Sequence, residues 1–286
     1  MCKQIELRFP APGFMRAIFK NPPINLVDPD TILELSALME KLETDPEIKV
    51  IVFESADPDF FLAHYDVLVD KARTAAMSKG PTGMHPWLDV LVRLSRAPVV
   101  SIASIRGRAR GAGSEFALSC DIRFASAEKA VLGQFEVGVG AVPGGNPMAR
   151  LAGLMGRGRA IEVVLGADDF PGALAERYGY VNRAIPDADL DEFVDRFARR
   201  IAGFDKEALT DAKRFIDEAS LPGDDLFPPA LDRFFISTKR PTTRARMAKL
   251  LEAGLQKRSD IELNLGQHVA STGVDDLPSY TAAQEQ

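Results

Sequence analysis

A strand that runs through a glycine-rich turn directly into a helix is the feature of this chain that most restricts its fold. The apolar run 98–105 has the composition of a buried strand, and Gly111-Ala-Gly-Ser-Glu115 opens a short apolar helix with a carboxylate in its first turn. Backbone N–H groups at a helix start lack intrahelical acceptors, and the helix dipole favours negative charge there. Free amides beside an acid suit chemistry at a carbonyl, because the amides can hold an oxyanion while the carboxylate moves a proton. On spacing alone, an ordinary helix start in which Glu115 only complements the dipole is the simpler interpretation.

Strand and helix patterns alternate along the first 186 residues. Apolar runs typical of strands occur at 4–9, 14–19, 49–54, 99–105, 122–125, 130–139 and 181–185. Apolar residues at helical spacing occur at 30–42, 87–96, 114–120, 148–155 and 159–165. The short connections predict an α/β core with mostly parallel strands. One connection, residues 71–86, is rich in Gly, Pro, Ser, Thr and Met and is a candidate mobile loop over a site.

The pattern becomes purely helical after about residue 187. Candidate helices span 190–204, 206–219, 226–237 and 242–253, the last with Gly254 as a natural stop. The polar composition after residue 266 is typical of a flexible tail. We therefore predict an α/β core over 1–186, a helical region over 187–266 and a flexible tail over 267–286.

Composition narrows the class of protein. With 46% hydrophobic and 27% charged residues the chain is of the soluble globular type, and its net charge of −6 argues against nucleic acid or an anionic membrane as the main partner. Only two cysteines occur, Cys2 and Cys120, so we expect no disulfide framework and a reducing cytoplasm. Neither a signal-peptide pattern nor a membrane-spanning apolar stretch is present in the sequence.

Several chemistries lack their sequence signatures. The three histidines have no metal-ligand spacing, so we expect no metal. No nucleophile elbow, no P-loop and no complete dinucleotide fingerprint occurs. The remaining candidates are carboxylates near glycine-rich turns, namely Asp66, Glu115, Asp121 and Glu136.

Five blocks of sequence together carry a family resemblance. They are Asn21-Pro-Pro-Ile-Asn25, Phe61-Leu-Ala-His-Tyr-Asp66, the turn from Ile105 to Glu115 with Cys120-Asp-Ile-Arg123, Gly133-Gln-Phe-Glu136 with Pro143-Gly-Gly145, and the segment from Arg150 to Val181-Asn-Arg183. Through these blocks the chain resembles the crotonase superfamily, the enoyl-CoA hydratase/isomerase group, over nearly its whole length. The resemblance implies repeated ββα units wound into a spiral, followed by a C-terminal helical region that mediates oligomerisation. The implied assembly is a homotrimer, or a hexamer made of two trimers.

The resemblance also implies a ligand and a site. The ligand is an acyl-CoA thioester, with coenzyme A as part of the substrate and no separate cofactor. The backbone N–H groups of Tyr65 and Ala112 correspond to the family's oxyanion hole, and Glu115 and Glu136 correspond to the two glutamates of hydratases. In that mechanism Glu115 helps to activate water and Glu136 delivers or removes the α-proton, for which one carboxyl needs a raised pKa. The implied substrate-binding residues are Ala63, His64, Asp66, Gly111 and Trp87.

The chain departs from the family pattern at the first oxyanion block. His64 stands where the family usually has glycine, and bulky Tyr65 follows where alanine is usual. Loss of the glycine removes backbone freedom beside the first amide donor, and the tyrosine could narrow the acyl pocket. Ala112, Arg106 and Ile24 are further departures, replacing glycine, asparagine and a basic residue.

Three of these residues also fit purely structural roles. His64 fits a pocket wall or the surface better than a catalyst. Asp66 fits a helix cap. Trp87 fits the apolar core, although its helix could line the acyl pocket.

Two functional hypotheses remain from the sequence. The first is hydration of a 2-enoyl-CoA with both glutamates, with an isomerase or another crotonase-type reaction as the nearest variant. The second is a protein of this fold that binds an acyl group or a partner without turnover. The altered pair His64-Tyr65 favours the second hypothesis, and retention of both carboxylates favours the first.

Overall fold

The computed structural model describes residues 4–271, apart from the side chains of Lys71 and Ala75. The described strands are β1 (Ile5–Ala11), β2 (Phe14–Phe19), β3 (Val50–Ser55), β4 (Phe60–Leu62), β5 (Val100–Ile105), β6 (Arg108–Arg110), β7 (Ile122–Ser126), β8 (Val131–Gly133), β9 (Asp169–Pro171) and β10 (Arg183–Ile185). They form a six-stranded sheet in the order β1-β2-β3-β5-β7-β10 and a four-stranded sheet in the order β4-β6-β8-β9. The β1–β2 and β8–β9 pairs are antiparallel and the other pairs are parallel, which confirms the predicted mostly parallel α/β core.

The helices of the described chain fill the connections and the C-terminal third. They are α1 (Pro29–Thr44), α2 (Lys71–Ala75), α3 (Pro86–Arg96), α4 (Ala112–Ser119), α5 (Pro147–Gly166), α6 (Gly172–Tyr178), α7 (Leu190–Ala202), α8 (Lys206–Ser220), α9 (Phe227–Ser237), α10 (Pro241–Ala253), α11 (Asp260–Leu263) and α12 (Leu265–Ser271). Short 3-10 turns cover Glu136–Val139 and Asp224–Leu226. None of the helices within residues 4–271 combines the length and apolarity needed to cross a membrane.

Each turn of the chain repeats one unit. A strand of the large sheet is followed by a strand of the small sheet and then by helix, as in β3-β4, β5-β6 and β7-β8. The two sheets and the helices enclose one large core, in which Phe116 of α4 packs edge-on against Phe19 and Phe53 with ring centroids 5.4 and 4.9 Å apart. The repeated ββα units are those of the crotonase fold. Because these units stack on one another, the turns after β4, β6 and β8 lie together around the start of α4.

A second apolar layer holds the helical region on the core. Helix α7 covers the outer face of the large sheet, where Val194 and Ala198 pack with Phe14, Val52 and Phe124. Helices α10 and α12 pack beside β9 and the 3-10 turn at Glu136 through Leu250, Leu265 and Val269. The C-terminal region therefore rests on the same parts of the core that carry the candidate site.

The structure differs from the sequence-based expectation in several segments. Residues 71–86 include a short helix, α2, whose first turn is capped by Asp70. The stretch 130–139 is extended only over β8 and then forms a 3-10 turn. The two helices predicted within 148–165 are joined in α5, with Gly156 at φ 79° marking the break between them. Of the predicted tail, residues 267–271 belong to α12, and 272–286 lie outside the described residues.

Candidate active site

Both carboxylate oxygens of Glu115 are occupied by N–H donors. Glu115 lies in the first turn of α4 and is 4% exposed. The indole Nε1 of Trp87 donates to Oε2 at 2.8 Å, and the backbone N–H of Gly145 donates to Oε1 at 2.7 Å. A Cβ at position 145 would stand 2.4 Å from Oε2, so only glycine permits this approach. Burial raises the pKa of Glu115, while the two hydrogen bonds oppose that rise by stabilising the anion.

Glu136 is the second buried carboxyl, and one of its two oxygens accepts no hydrogen bond from the described residues. It opens the 3-10 turn after β8, is 7% exposed, and its Oε2 has no hydrogen-bond partner among residues 4–271. A Cβ at Gly111 would stand 2.4 Å from Oε1, which places the carboxyl against the glycine-rich turn. Burial and repulsion by the Glu115 carboxylate raise the pKa of Glu136 to about 8. The structure thus brings Glu115 and Glu136 into one buried site.

The backbone N–H groups of Tyr65 and Ala112 have no hydrogen-bond acceptor within the described chain. The N–H of Val27 donates to His64 O at 2.8 Å, and the N–H of Asp66 donates to Val27 O at 2.8 Å. In this parallel bridge the N–H of Tyr65 points away from Val27, and it has no acceptor within the described chain. The N–H of Ala112, the first residue of α4, likewise lacks an acceptor within residues 4–271.

Close backbone packing brings these two amides to the same end of the fold. The N–H of Arg110 donates to Ala63 O at 3.2 Å. A Cβ at Gly113 would stand 1.9 Å from Leu62 O, so α4 begins in direct contact with the end of β4. Gly111, at φ 48°, makes the turn between β6 and α4 and donates its N–H to Gly133 O at 3.1 Å. The blocks around Tyr65, Ala112 and Glu136, far apart in sequence, therefore meet.

The residues of the first oxyanion block have partners that the sequence did not reveal. His64 is buried, not on the surface, and its Nε2 lies 2.8 Å from Oε1 of Glu262 in α11. Asp66 caps no helix; its Oδ1 accepts from the N–H of Leu68 and from Nε2 of Gln256. Ala63 is fully buried.

The side chain of Tyr65 contacts the segment predicted to be a loop. Its hydroxyl lies 3.0 Å from Oγ1 of Thr74 in α2, and burial raises its pKa. One side of a cleft of about 570 Å³ is lined by Arg73 and residues 76–81, and the other side is lined by Pro29, Ile32, Leu33 and Ser36. The bulky residue at position 65 is therefore tied to one wall of that cleft.

Trp87 lies in the core, as one interpretation of the sequence predicts, and it also contacts Glu115, which the sequence did not indicate. Its ring is 5% exposed and belongs to the large core, while its Nε1 reaches Glu115. Sequence reasoning missed Gly145 as a donor to Glu115, although Pro143-Gly-Gly145 stands in one of the family-like blocks. It also missed Glu262 and Gln256, which no sequence motif marks. Within residues 4–271, no group of three or more His, Cys, Asp or Glu side chains is arranged to hold a metal ion.

Comparison with known proteins places the chain in a family. The family model described as enoyl-CoA hydratase/isomerase matches residues 13–221. A short-chain-enoyl-CoA hydratase of Clostridium acetobutylicum is 30% identical over 68% of this chain and 73% of its own length. A crotonyl-CoA hydratase of Syntrophomonas wolfei is 30% identical over 65% of this chain and 72% of its own length.

A solved structure agrees with the sequence comparison. It is a crystal structure from Streptomyces avermitilis described as a "putative enoyl-CoA hydratase", and it superposes with a TM-score of 0.89 at 44% identity, covering 93% of this chain and 96% of its own. The match extends over the core and the C-terminal helices alike. With this fold and a family match over 13–221, the chain belongs to the enoyl-CoA hydratase/isomerase family.

Proposed function

We propose that this protein adds water to the double bond of a 2-enoyl-CoA thioester. The observation that carries the proposal is the pairing of two buried carboxyls, Glu115 and Glu136, beside two backbone N–H groups that lack acceptors in the described chain. The N–H groups of Tyr65 and Ala112 would bind the thioester oxygen. They would stabilise the negative charge that develops on it when water attacks the β-carbon.

The environments of the two glutamates fit different roles. Glu115 accepts two N–H bonds, which favour its anionic form, so it takes a proton from the attacking water. Glu136, with a pKa raised to about 8, is protonated at neutral pH and gives its proton to the α-carbon. After the addition Glu115 holds a proton and Glu136 has lost one. Exchange of one proton between the two sites, or with solvent, restores the starting state.

The test is hydration of a short 2-enoyl-CoA by the wild type and two isosteric variants. Glu115→Gln and Glu136→Gln should each lower kcat by about 10² or more, because each removes one proton-transfer group. Wild-type rates in both variants would refute the proposal. Circular dichroism of each variant controls for folding.

A double-bond isomerase is the second candidate, and one observation favours it. Of the two glutamates, only Glu136 has a carboxylate oxygen without a hydrogen-bond partner within residues 4–271, and one base suffices to move a proton between carbons. An isomerase would retain most of its rate as Glu115→Gln and would lose it as Glu136→Gln. A non-catalytic binding protein would turn over neither substrate while still binding CoA esters.

We also propose a homotrimer, or a hexamer of two trimers, in the cytoplasm. Large apolar side chains are exposed on α5, α8 and α9, namely Leu154, Leu165, Phe215, Ile216 and Ile236, and such patches mark protein interfaces. Sedimentation equilibrium tests the oligomeric state, and a monomeric mass would refute it. The proposed reaction uses no cofactor beyond the CoA of the substrate, so prolonged dialysis against a chelator should leave the rate unchanged.

A further inference from the structure

The C-terminal segment reaches back to the first oxyanion block through a buried charged pair. Glu262 of α11 is completely buried, and its Oε1 lies 2.8 Å from Nε2 of His64, which is 1% exposed. The two residues are 198 positions apart in the sequence. Removing both partners from water is costly, and their attraction offsets that cost only where the geometry is good and the remaining polar atoms are hydrogen-bonded, so the pair is a specific contact.

The partners of the imidazole ring define its protonation. Nδ1 of His64 lies 2.8 Å from the carbonyl oxygen of Tyr65, and because a carbonyl can only accept, Nδ1 carries a proton. Nε2 faces the carboxylate of Glu262, which also accepts. With Glu262 ionised, the form that its lowered pKa favours, both ring nitrogens donate and His64 is an imidazolium ion. Burial opposes this charge, but Glu262 and the Tyr65 carbonyl outweigh it, so the pKa of His64 is raised and that of Glu262 is lowered.

Arg110 and Phe135 are the other side chains that border the His64–Glu262 pair. Arg110 of β6 is the other charged group near His64, and its charge opposes protonation of the ring. Its guanidinium donates to Glu262 O at 2.7 Å and is paired with Asp169 at 2.6 Å, so its charge is largely neutralised. The ring of Phe135 closes the remaining side, with centroids 5.4 Å apart.

The same short segment holds the residues on the other side of Tyr65. Oε2 of Glu262 accepts from the N–H of Gln256 at 2.9 Å. The side chain of Gln256 in turn donates to Asp66 Oδ1 at 2.6 Å and accepts from the N–H of Val67 at 2.7 Å. Contacts from residues 256–262 thus bracket Tyr65 on both sides.

We propose that Glu262 and His64 are positioning residues that fix the backbone of Tyr65 so that its N–H faces the substrate oxygen. Glu262 orients the imidazolium, the imidazolium holds the carbonyl of Tyr65, and Val27 holds the carbonyl of His64. These side-chain contacts stand where the family pattern that the sequence resembles has glycine. The inference rests on the proposed function, in which the Tyr65 amide binds the thioester oxygen.

The first test compares three variants on a short 2-enoyl-CoA. Glu262→Ala removes the carboxylate and should lower kcat about tenfold with little change in KM, because a misplaced oxyanion donor weakens transition-state binding most. Glu262→Gln can accept from the Gln256 N–H and donate to Nε2 of a neutral His64, so it should restore most of the lost rate. Asp260→Ala is the matched control, because it breaks the exposed Asp260–His268 pair two residues away and should leave kcat unchanged.

The second test reads the protonation of His64 without any turnover. The chain has three histidines, so ring ¹⁵N signals can be assigned with His85→Asn and His268→Asn. We expect both nitrogens of His64 to be protonated at pH 7 in the wild type, and the ring to become neutral at pH 7 in Glu262→Gln. A neutral His64 ring in the wild type at pH 6 would overturn the charged pair, and an Nδ1 without a proton would overturn the proposed hold on the Tyr65 carbonyl.

The two tests separate the inference from the proposed function. If the wild type fails to hydrate enoyl-CoA while His64 is an imidazolium, the proposed reaction is wrong and the charged pair stands. If the wild type is active and Glu262→Ala keeps its kcat, the positioning role is wrong. If Glu262→Ala does not fold, His64→Gln takes its place, because its amide can still donate to Glu262 but cannot hold the Tyr65 carbonyl. Its kcat should fall about tenfold, and an unchanged kcat would show that the positioning role is wrong.

Discussion

The indole Nε1 of Trp87 lies 2.8 Å from Oε2 of Glu115, so the single tryptophan of the chain donates a hydrogen bond to a proposed catalytic carboxylate. Trp87 stands at the start of α3 and Glu115 at the start of α4. With Gly145 on the other oxygen, the carboxylate plane is fixed from two directions. The packing of α3 against α4 therefore sets the orientation of the proposed base.

Trp87→Phe should keep the apolar packing and lose the hydrogen bond to Glu115. A bond to a charged group contributes roughly 1.5–3 kcal/mol, so kcat should fall about ten- to a hundredfold. Because the Trp87 bond lowers the pKa of Glu115, its loss should raise that pKa. As the proposed base, Glu115 must be ionised, so activity should be lost as the pH falls through its pKa. The acid limb of the kcat–pH profile should therefore move to higher pH.

The control for this prediction is the double variant Trp87→Phe with Glu115→Gln. If Trp87 acts through Glu115, the tryptophan substitution should cost nothing further once the carboxylate is gone. Additive losses would mean that Trp87 acts on the substrate or on folding instead.

The raised pKa of Glu136 predicts an alkaline limit to activity. Glu136 must be protonated to act as an acid, so kcat should decline as the pH rises through about 8. Burial is the larger cause of the shift and repulsion by Glu115 the smaller. Glu115→Gln removes the repulsion, so its residual activity should decline at lower pH than that of the wild type. An unchanged alkaline limb in that variant would show that the two carboxyls do not interact.

Much of the fold follows from local sequence patterns. The buried strands are short apolar runs bounded by turns, and the parallel order follows because helices connect them. The meeting of the blocks around Tyr65, Gly111 and Glu136 could be anticipated from the family resemblance. Helix α2 could not, because five residues leave too short a pattern to show periodicity.

The polar contacts of the site were less accessible from the sequence. Periodicity indicates that Trp87 is buried, but it does not show which acceptor the polar edge of the indole finds. The hydrogen bond between His64 and Glu262 joins residues 198 positions apart, and no sequence motif contains both of them. Gly145 donates through its backbone N–H, and although the approach of Glu115 requires glycine at that position, the sequence does not show which glycine meets which carboxylate.

The contact between α4 and the first oxyanion block predicts an outcome for glycine substitutions. Gly113→Ala would put a Cβ 1.9 Å from Leu62 O, so α4 must shift and carry Ala112 and Glu115 with it. We expect a loss of about 2–4 kcal/mol in the free energy of unfolding, as for other severe steric insertions. Gly158→Ala in α5 is the matched control, because a Cβ there has open space and alanine favours helix. Urea denaturation measures both, and equal stabilities would contradict the close approach.

The side chain of Tyr65 predicts which acyl groups the site accepts. The proposed oxyanion donor is the backbone N–H, so shortening the side chain should change the space for the acyl chain more than the polarisation of the carbonyl. Tyr65→Ala should therefore raise the ratio of kcat/KM for a longer 2-enoyl-CoA over a short one, by about tenfold or more if a few methylenes gain contact. Tyr65→Phe is the control, because it removes only the hydroxyl that meets Thr74 and keeps the bulk of the ring. A ratio that rises equally in both variants would assign the effect to the tie between Tyr65 and α2 rather than to the volume of the ring.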